Sequence, residues 1–355
     1  MKINISKTTL ENILIHVQPF LEKKDTSAIT SHVYFEAIDN NLIVKATDFE
    51  ISLEVSVTNI NIEENGRVTA NGKKLLDIIR ILKDDNIVLS TKQNNLHIKQ
   101  NKSNFKLPMF DSNEFPTLPN IEAKDKISIN SADLIESLKK ITSAADSNNP
   151  KFELNGALID MSNNVINFVS TDTRRLALVT LENDSSNDLK LILPKKAIVE
   201  IQKLFFNNVE IFYDKTYFII KSQTYTFSTK LINGNFPDYT RIIPKEISKN
   251  LTLPKAIIIE AIKQINTISS DIKLTFDMQS ITFESLSDDN IEAKTQIEFN
   301  TNLEQPFSVA VNSRYILDFL AQTTSSDFNM GLNEANLPFV LIDGNFKTIV
   351  MPIVI

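Results

Sequence analysis

The stretch TTLENILIHVQPFL at residues 8–21 is the first of three similar segments that decide how this chain folds. The apolar residues in it have the three- and four-residue spacing of one helix face, at Leu10, Ile13, Leu14 and Val17. The segments NSADLIESLKKITSAA at 130–145 and LPKAIIIEAIKQINTIS at 253–269 follow the same pattern. The matching positions Thr8, Ser131 and Pro254 are separated by 123 residues at each step. This regular interval indicates an internal repeat.

Three further landmarks recur at a similar spacing. In a second predicted helix, Lys73 matches Lys195 and Ser313, at intervals of 122 and 118 residues. Phenylalanines at 105, 227 and 346 are 122 and 119 residues apart. ATDFEISLEV, around Thr47, matches STDTRRLALV, around Thr171, and its third copy is reduced to ESLSDDNIEAK, around Ser287. The alternative is a long chain with ordinary alternation of helices and strands, and the shared spacing disfavours it. We therefore predict three tandem domains, at 1–120, 121–246 and 247–355.

The segments between these helices alternate apolar and polar residues with the period of a β-strand. NNLIVKATDFEISLEVSV, NNVINFVSTDTRRLALVTL and SITFESLSDDNIEAKTQIEF all show this pattern, interrupted by Asn and Asp at turns. Each domain is therefore predicted as an α+β unit, with antiparallel strands and two helices.

Composition excludes several classes of protein. The chain has six glycines in 355 residues and neither of the common glycine-rich phosphate-binding motifs. It has no cysteine, and its three histidines, His16, His32 and His97, are not spaced as metal ligands. No stretch approaches the roughly 20 apolar residues that span a membrane, and the amino terminus does not resemble a signal peptide. We expect a cytoplasmic protein with no cofactor, no metal and no membrane partner.

Nothing in the sequence favours catalysis. Asp48 and Asp172 recur in the Thr-Asp element, but they belong to different repeats and do not form a carboxylate pair in one site. We predict that each caps a turn. No nucleophile and base are paired by any motif, so we expect no catalytic residues.

Charge is distributed unevenly along the chain. The net charge is −7, yet the six predicted helices contain 13 Lys and Arg against 7 Asp and Glu. The pairs Lys73–Lys74 and Lys195–Lys196 occur at similar places in two repeats. Lysines on helix surfaces also serve solubility, and that interpretation stays open. The segregation favours contact with a nucleic-acid backbone, independent of base sequence.

Several segments resemble the bacterial DNA polymerase III beta subunit family, the sliding clamps. They are ATDFEISLEV (46–55), FKLPMFDSNEFPTLP (105–119), FELNGALID (152–160), STDTRRLALV (170–179), KLINGNFPDYTRIIP (230–244), NSRYILDFL (312–320) and VMPIVI (350–355). The resemblance covers all three domains in order. It implies three DNA-clamp domains per chain, with sheets outside and two helices each inside, and a head-to-tail homodimer that closes as a ring around duplex DNA. A protein-binding scaffold built from repeats, which does not encircle DNA, is the alternative.

The resemblance also implies a pocket between domains 2 and 3 for short linear peptides from the replicative polymerase and repair proteins. By motif match its residues are Leu154, Thr171, Arg175, Leu176, Pro237, Arg241, Ile242, Tyr315, Val350, Met351, Pro352 and Ile353. Aliphatic and methionine side chains would hold apolar peptide residues, while the Arg, Thr and Tyr side chains would fix polar atoms at the rim. Ordinary core packing is the alternative for Leu154, Leu176 and Val350.

Further residues follow from the same resemblance. The candidates that face DNA are Lys24, Lys73, Lys74, Arg80, Asn148, Lys151, Lys195 and Lys196. Ring closure would join Phe105 and Leu107 of domain 1 to a domain 3 edge near Ile268, and a clamp loader would be a further partner. The sequence departs from the family pattern at Ala28, Thr173, Arg174 and Val354, where Pro, Gly, His and Arg are usual. Three of these positions adjoin the implied pocket and could change its partner preference.

Overall fold

The computed structural model describes residues 1–25, 27–122, 124–183, 188–286 and 291–354. Residues 287–290 of the third copy of the Thr-Asp element, ESLSDDNIEAK, lie outside them. Within the described ranges, no helix is long and apolar enough to cross a membrane.

The first repeat contains two helices, α1 (Lys7–Val17) and α2 (Gly72–Ile81). Its strands are β1 (Lys2–Ser6), β2 (His32–Ile38), β3 (Asn41–Thr47), β4 (Ile51–Val57), β5 (Asn61–Glu64), β6 (Gly66–Asn71), β7 (Asn86–Lys92), β8 (Asn95–Gln100) and β9 (Ser103–Pro108). The Ser6 hydroxyl caps α1 by accepting a hydrogen bond from the backbone of Thr9. All four apolar residues predicted for the core face of α1 are buried, which confirms that prediction.

The second repeat contains α3 (Ser131–Ile141) and α4 (Lys195–Leu204). Its strands are β10 (Asp125–Lys126), β11 (Gly156–Ser162), β12 (Val165–Thr171), β13 (Arg175–Glu182), β14 (Leu189–Pro194), β15 (Glu210–Tyr213), β16 (Tyr217–Lys221) and β17 (Tyr225–Lys230). The third repeat contains α5 (Lys255–Ile265) and α6 (Ser313–Leu320). Its strands are β18 (Lys249–Pro254), β19 (Asp271–Asp277), β20 (Ser280–Ser285), β21 (Lys294–Glu298), β22 (Phe307–Asn312), β23 (Asp327–Leu332), β24 (Phe339–Asp343) and β25 (Phe346–Val350).

The strands form four antiparallel sheets, two of which cross from one repeat to the next. The first and last sheets have the strand orders β5-β1-β7-β8-β9 and β21-β20-β19-β22. One eight-stranded sheet has the order β10-β15-β16-β17-β4-β3-β2-β6 and joins repeats 1 and 2. The other has the order β14-β11-β12-β13-β25-β24-β23-β18 and joins repeats 2 and 3. The predicted α+β class with antiparallel strands is confirmed.

This continuity explains why the compact units of the chain differ from the sequence repeats. Unit 1 comprises Met1–Ile135 and Val199–Leu231, and unit 2 comprises Glu136–Ile198 and Ile232–Ile355. Each unit contains one complete eight-stranded sheet, so the second repeat is divided between them. Strands that are paired in one sheet stay in one compact unit, even when they belong to different repeats.

The Thr-Asp elements of repeats 1 and 2 form the same turn. Asp48 accepts hydrogen bonds from the backbone of Glu50 at 3.0 Å and Ile51 at 2.9 Å. Asp172 accepts them from Arg174 at 3.0 Å and Arg175 at 2.9 Å. The prediction that these aspartates cap turns is confirmed.

The repeated phenylalanine is shifted by two residues in the third repeat. Phe227 lies opposite Leu53, and the residue 124 positions after Leu53 is Ala177. Ala177 lies opposite Thr348, whereas Phe346 lies two positions away. The match of Phe346 with Phe227 was therefore wrong by one strand period. Side chains alternate between the faces of a strand, so a shift of two residues keeps the aromatic ring on the same face and leaves the sequence pattern intact.

Candidate functional site

The carboxyl-terminal segment and the Thr-Asp turn of repeat 2 meet at the β13–β25 pair, inside unit 2. Arg175 pairs with Val350 across the two strands. Beyond the pair, the backbone N–H of Met351 donates to the carbonyl of Arg174 at 2.9 Å. The N–H of Ile353 then donates to the carbonyl of Ala310 at 2.8 Å. Residues 350–353 are thus held at both ends, which fixes the wall that they form.

The predicted pocket residues separate into a closed floor and an open rim. Leu154, Leu176 and Val350 are at most 1% exposed, so they are core residues on which a ligand could rest. The exposed rim residues are Pro237, Arg241, Ile242 and Met351, while Pro352 and Ile353 are half-buried. Ile242 is 42% and Met351 40% exposed, which is high for large apolar side chains. Ile242 and Met351 therefore offer exposed apolar surface, while Leu154, Leu176 and Val350 lie in the core.

Arg175 occupies a different position from the rim expected for it. It is only 5% exposed. Its guanidinium donates to Asp172 at 3.1 Å, to Asp318 at 2.7 Å and to the carbonyl of Ser143 at 2.5 Å. It also lies 4.7 Å from the centre of the Tyr315 ring. Each guanidinium nitrogen is engaged, so Arg175 holds the second and third repeats together and is not placed to meet a ligand.

The other polar residues of the pocket are partly engaged as well. The Thr171 hydroxyl donates to the carbonyl of Arg175 at 2.6 Å and is 8% exposed as a residue. Tyr315 is half-buried, and burial raises the pKa of its phenol. Arg241 pairs with Asp238 at 2.8 Å, but its side chain stays 82% exposed. Arg241 is therefore the rim cation available to an anionic ligand group.

The predicted DNA-facing residues are mostly exposed, and one is not. Exposed are Lys24, Lys73, Lys74, Arg80, Asn148, Lys151 and Lys196. Lys195 is half-buried and its ammonium donates to the carbonyl of Ala145 at 2.6 Å, while burial lowers its pKa. An ammonium fixed in this way contributes less to a phosphate-facing surface.

Strand register explains why Lys195 differs. Strand β6 ends at Asn71 and β14 ends at Pro194, and α2 and α4 begin at the next residue. Gly72 therefore matches Lys195, and Lys73 matches Lys196. The predicted match of Lys73 with Lys195 was wrong by one residue. Lys24, Lys73, Lys74 and Arg80 belong to unit 1, whereas Asn148, Lys151, Lys195 and Lys196 belong to unit 2.

Comparison with known proteins identifies the family. Models of the N-terminal, central and C-terminal domains of the DNA polymerase III beta subunit match residues 1–119, 128–238 and 240–354. The chain belongs to the DNA polymerase III beta subunit family. The beta sliding clamp of Helicobacter pylori strain J99 is 40% identical over 99% of this chain and all of the relative. That of Caulobacter vibrioides is 26% identical over 99% of this chain and all of the relative.

Solved structures give the same result. A Helicobacter pylori beta clamp bound to a DNA ligase peptide has a TM-score of 0.94 and 41% identity, with complete coverage of both chains. A complex of the Helicobacter pylori clamp with diflunisal has a TM-score of 0.93 and 40% identity, again over both whole chains. The predicted family, the three tandem clamp domains and the function as a DNA sliding clamp are confirmed.

Two of the three residues predicted for ring closure lie on an edge strand. Strand β9 ends the first sheet, and there Phe105 is half-buried and Leu107 7% exposed. Strand β21 ends the last sheet, while Ile268, 42% exposed, follows α5. Leu107 is thus mostly covered within its own chain. Among the residues that the structure describes, no cluster of His, Asp and Glu could hold a metal ion.

The residues that hold Arg175 and Tyr239 in place were not predicted from the sequence. Asp318 and Ser143 hold Arg175, and Asp160 accepts a hydrogen bond from the Tyr239 hydroxyl at 3.0 Å. The only sequence signal was position: Tyr239 lies in the family-like NFPDY segment, and Asp318 is three residues after Tyr315 on α6. Burial of a polar side chain is a property of the folded chain, and no local pattern reveals it.

Proposed function

We propose that this chain is a non-catalytic, cytoplasmic processivity subunit that encircles duplex DNA and tethers replication and repair proteins by short linear peptides. The observation that carries the proposal is the exposure of two large apolar side chains, Ile242 and Met351, on the segments that follow Tyr239 and Ile349 of one buried cluster. Pockets that fix apolar side chains above a rigid base are typical of extended-peptide recognition. The DNA ligase peptide bound by the Helicobacter pylori clamp supports this class of ligand.

The pocket residues would divide the work. Pro237, Ile242, Met351 and the partly buried Pro352 and Ile353 would contact apolar peptide side chains. Leu154, Leu176 and Val350 would form the floor, while Thr171, Arg175 and Tyr315 would hold the walls. Arg241 would meet an acidic or carbonyl group, because its guanidinium is largely exposed. The exposed Thr173, Arg174 and Val354 near the rim would adjust the preference between partners.

The DNA contact would be electrostatic and independent of base sequence. Exposed basic residues would face the phosphates, and a weakly bound backbone would let the protein slide. Lys73, Lys74 and Arg80 on α2 and Lys196 on α4 support this role, and Lys195 would contribute less. A clamp loader would open and close the protein on DNA.

Ring closure would join two chains head to tail. Strands β9 and β21 each have a partner on one side only among the described residues. Such edges are suited to pairing with another chain. Edge pairing would bring Phe105 and Leu107 of one protomer towards the partner's edge near Ile268. The domain boundaries 1–120, 121–246 and 247–355 remain part of this proposal.

The pocket is tested by peptide binding with two matched methionine variants. Met351→Glu puts a charge on the apolar rim, whereas Met278→Glu changes a 55% exposed methionine elsewhere in unit 2. We expect Met351→Glu to weaken binding of a fluorescein-labelled DNA ligase peptide at least tenfold, about 1.4 kcal/mol. Met278→Glu should bind as the wild type does. Equal affinity of the two variants would place the peptide elsewhere.

A further inference from the structure

A buried carboxylate lies behind the pocket. Asp160 on β11 is 4% exposed. Its Oδ2 atom accepts a hydrogen bond from the Tyr239 hydroxyl at 3.0 Å and lies 3.4 Å from the Lys190 ammonium. Its Oδ1 atom has no hydrogen-bond partner in the described part of the chain. Burying a carboxylate with few hydrogen-bond partners costs free energy, and loss of the bond to Tyr239 would add to that cost.

Tyr239 is the buried anchor of an otherwise exposed segment. It begins a short helical turn, Tyr239–Ile242, and is 8% exposed. Its ring belongs to an apolar cluster with Leu158, Leu178 and Val340. Burial, followed by the charge of Asp160, raises the pKa of the Tyr239 phenol far above its usual value. The hydroxyl therefore stays protonated and donates a hydrogen bond to Asp160. Tyr239 is the buried residue within 237–242, and the flanking Phe236 and Ile243 pack against the same cluster.

The first repeat shows that this anchor is not a general feature of the fold. The cross-strand pairs Leu158–Val169 and Val169–Leu178 of repeat 2 correspond, 124 residues earlier, to polar pairs. Those residues are Tyr34, Lys45 and Glu54. There the linker after β9 leaves a cavity of about 390 Å³ that these three residues line.

The carboxylate also has a different partner in the first repeat. Glu36 corresponds to Asp160, and Arg67 corresponds to Lys190. The Arg67 guanidinium donates directly to Glu36 at 2.7 Å. The linker of that repeat has leucine at position 118, three residues after Phe115, where Tyr239 stands three residues after Phe236. Among the described residues, the linker phenol of Tyr239 is bonded to the carboxylate of repeat 2, whereas the phenol beside Glu36 in repeat 1 is that of Tyr34 on β2.

We propose that Asp160 and Tyr239 are a positioning pair that sets the geometry of the peptide rim. The inference rests on the proposed peptide-binding function and deepens it. When the bond is intact, Pro237, Arg241 and Ile242 are already placed for the peptide, so binding does not have to order them. When the bond is lost, the rim moves more freely and a bound peptide leaves sooner. Neither residue touches the peptide.

The test measures peptide kinetics on the full-length chain. The variants are Tyr239→Phe, Asp160→Asn and the double substitution, and the probe is the labelled DNA ligase peptide. We expect the dissociation rate to rise about five- to tenfold in Tyr239→Phe, with the association rate nearly unchanged. The rise should be smaller in Asp160→Asn, because the asparagine carboxamide oxygen can still accept a weaker hydrogen bond from Tyr239. The double variant should be no worse than Tyr239→Phe alone, because both substitutions act on the same bond. Glu36→Gln is the control, since it alters the corresponding carboxylate of repeat 1 and should leave the dissociation rate unchanged.

Each outcome decides the matter. A wild-type dissociation rate in Tyr239→Phe, or an additive effect in the double variant, would overturn the positioning pair. An equal effect of Glu36→Gln would show general loosening of the fold and would also overturn it. If the wild-type chain binds no peptide, the proposed function fails and the pair falls with it. Hydrogen exchange over residues 235–244 supplies a second readout, and unchanged protection in Tyr239→Phe would contradict the loosened rim.

Discussion

Replacing Arg175 with methionine should open the junction between the second and third repeats. Methionine keeps most of the apolar stem but removes the guanidinium and its bonds to Asp172, Asp318 and Ser143. The contact with the Tyr315 ring is lost as well. Two carboxylates and one carbonyl then lose their donor in a half-buried region.

The magnitude follows from the burial of the partners. Removing one member of a buried ion pair costs about 3–5 kcal/mol. The side chains of Asp172 and Asp318 are 21% and 27% exposed, so water can partly replace the guanidinium. We therefore expect the lower end of that range, about 3 kcal/mol, for opening the Arg175–α6 contact.

The assay is hydrogen exchange, because a chain of three repeats need not unfold in one step. Protection of the amides in α6 should fall about 100-fold in Arg175→Met, as a 3 kcal/mol change implies. Arg314→Met is the matched control: Arg314 lies 3.7 Å from the same Asp318 carboxylate, but its side chain is 77% exposed. A surface pair of this kind contributes about 0–1 kcal/mol. Equal loss of protection in the two variants would refute the buried network.

Three further predictions follow from other parts of the structure. Substituting Lys73 and Lys196 with Glu should shorten retention on closed circular DNA. The control is Lys92→Glu with Lys99→Glu, which makes the same charge change on strand residues and should shorten retention much less. Equal retention of the two double variants would exclude α2 and α4 from the DNA contact. Thr173 has a φ of +74°, so Thr173→Gly should stabilise the chain by about 0.5–1 kcal/mol, while Thr267→Gly, at a residue without positive φ, should destabilise it in the same urea titration. Burial, aided by Lys74, lowers the pKa of His32 from 6.5 to about 4, so the unfolded chain takes up a proton first as the pH falls. The free energy of unfolding should therefore decline between pH 6.5 and 4, by at most about 3 kcal/mol. His32→Phe should flatten that part of the plot of urea midpoint against pH. Parallel plots for the wild type and His32→Phe would contradict the prediction.

Sequence patterns were sufficient for features that depend on neighbours along the chain. The spacing of Leu10, Ile13, Leu14 and Val17 predicted a buried helix face, and the Thr-Asp elements predicted capped turns. Both depend on residues within one turn of each other. The internal repeat indicated three copies of one unit, and the family likeness then supplied the pocket residues.

Patterns failed where strand pairing or burial decides the outcome. Lys195 seemed to match Lys73, but the strand ends match it to Gly72, and its ammonium is bonded to a carbonyl. Arg175 was placed at a polar rim, whereas four groups from three elements surround its guanidinium. These partners are separated in the sequence by up to 143 residues. A local pattern has no access to such distances.

The two junctions between repeats share a backbone arrangement but differ in side chains, and that difference would favour apolar peptide binding at one of them. At the β4–β17 junction, the N–H of Lys230 donates to the carbonyl of Glu50 at 2.9 Å, as Met351 donates to Arg174 at the β13–β25 junction. In the first junction the two side chains also form an ion pair at 3.1 Å, so charge covers the surface where the second junction presents methionine. An extended peptide with apolar side chains would cover that ion pair and partly desolvate its charges, whereas contact with Met351 carries no such cost. The repeated fold thus supplies two equivalent frames, and we expect a few substitutions to favour binding at one.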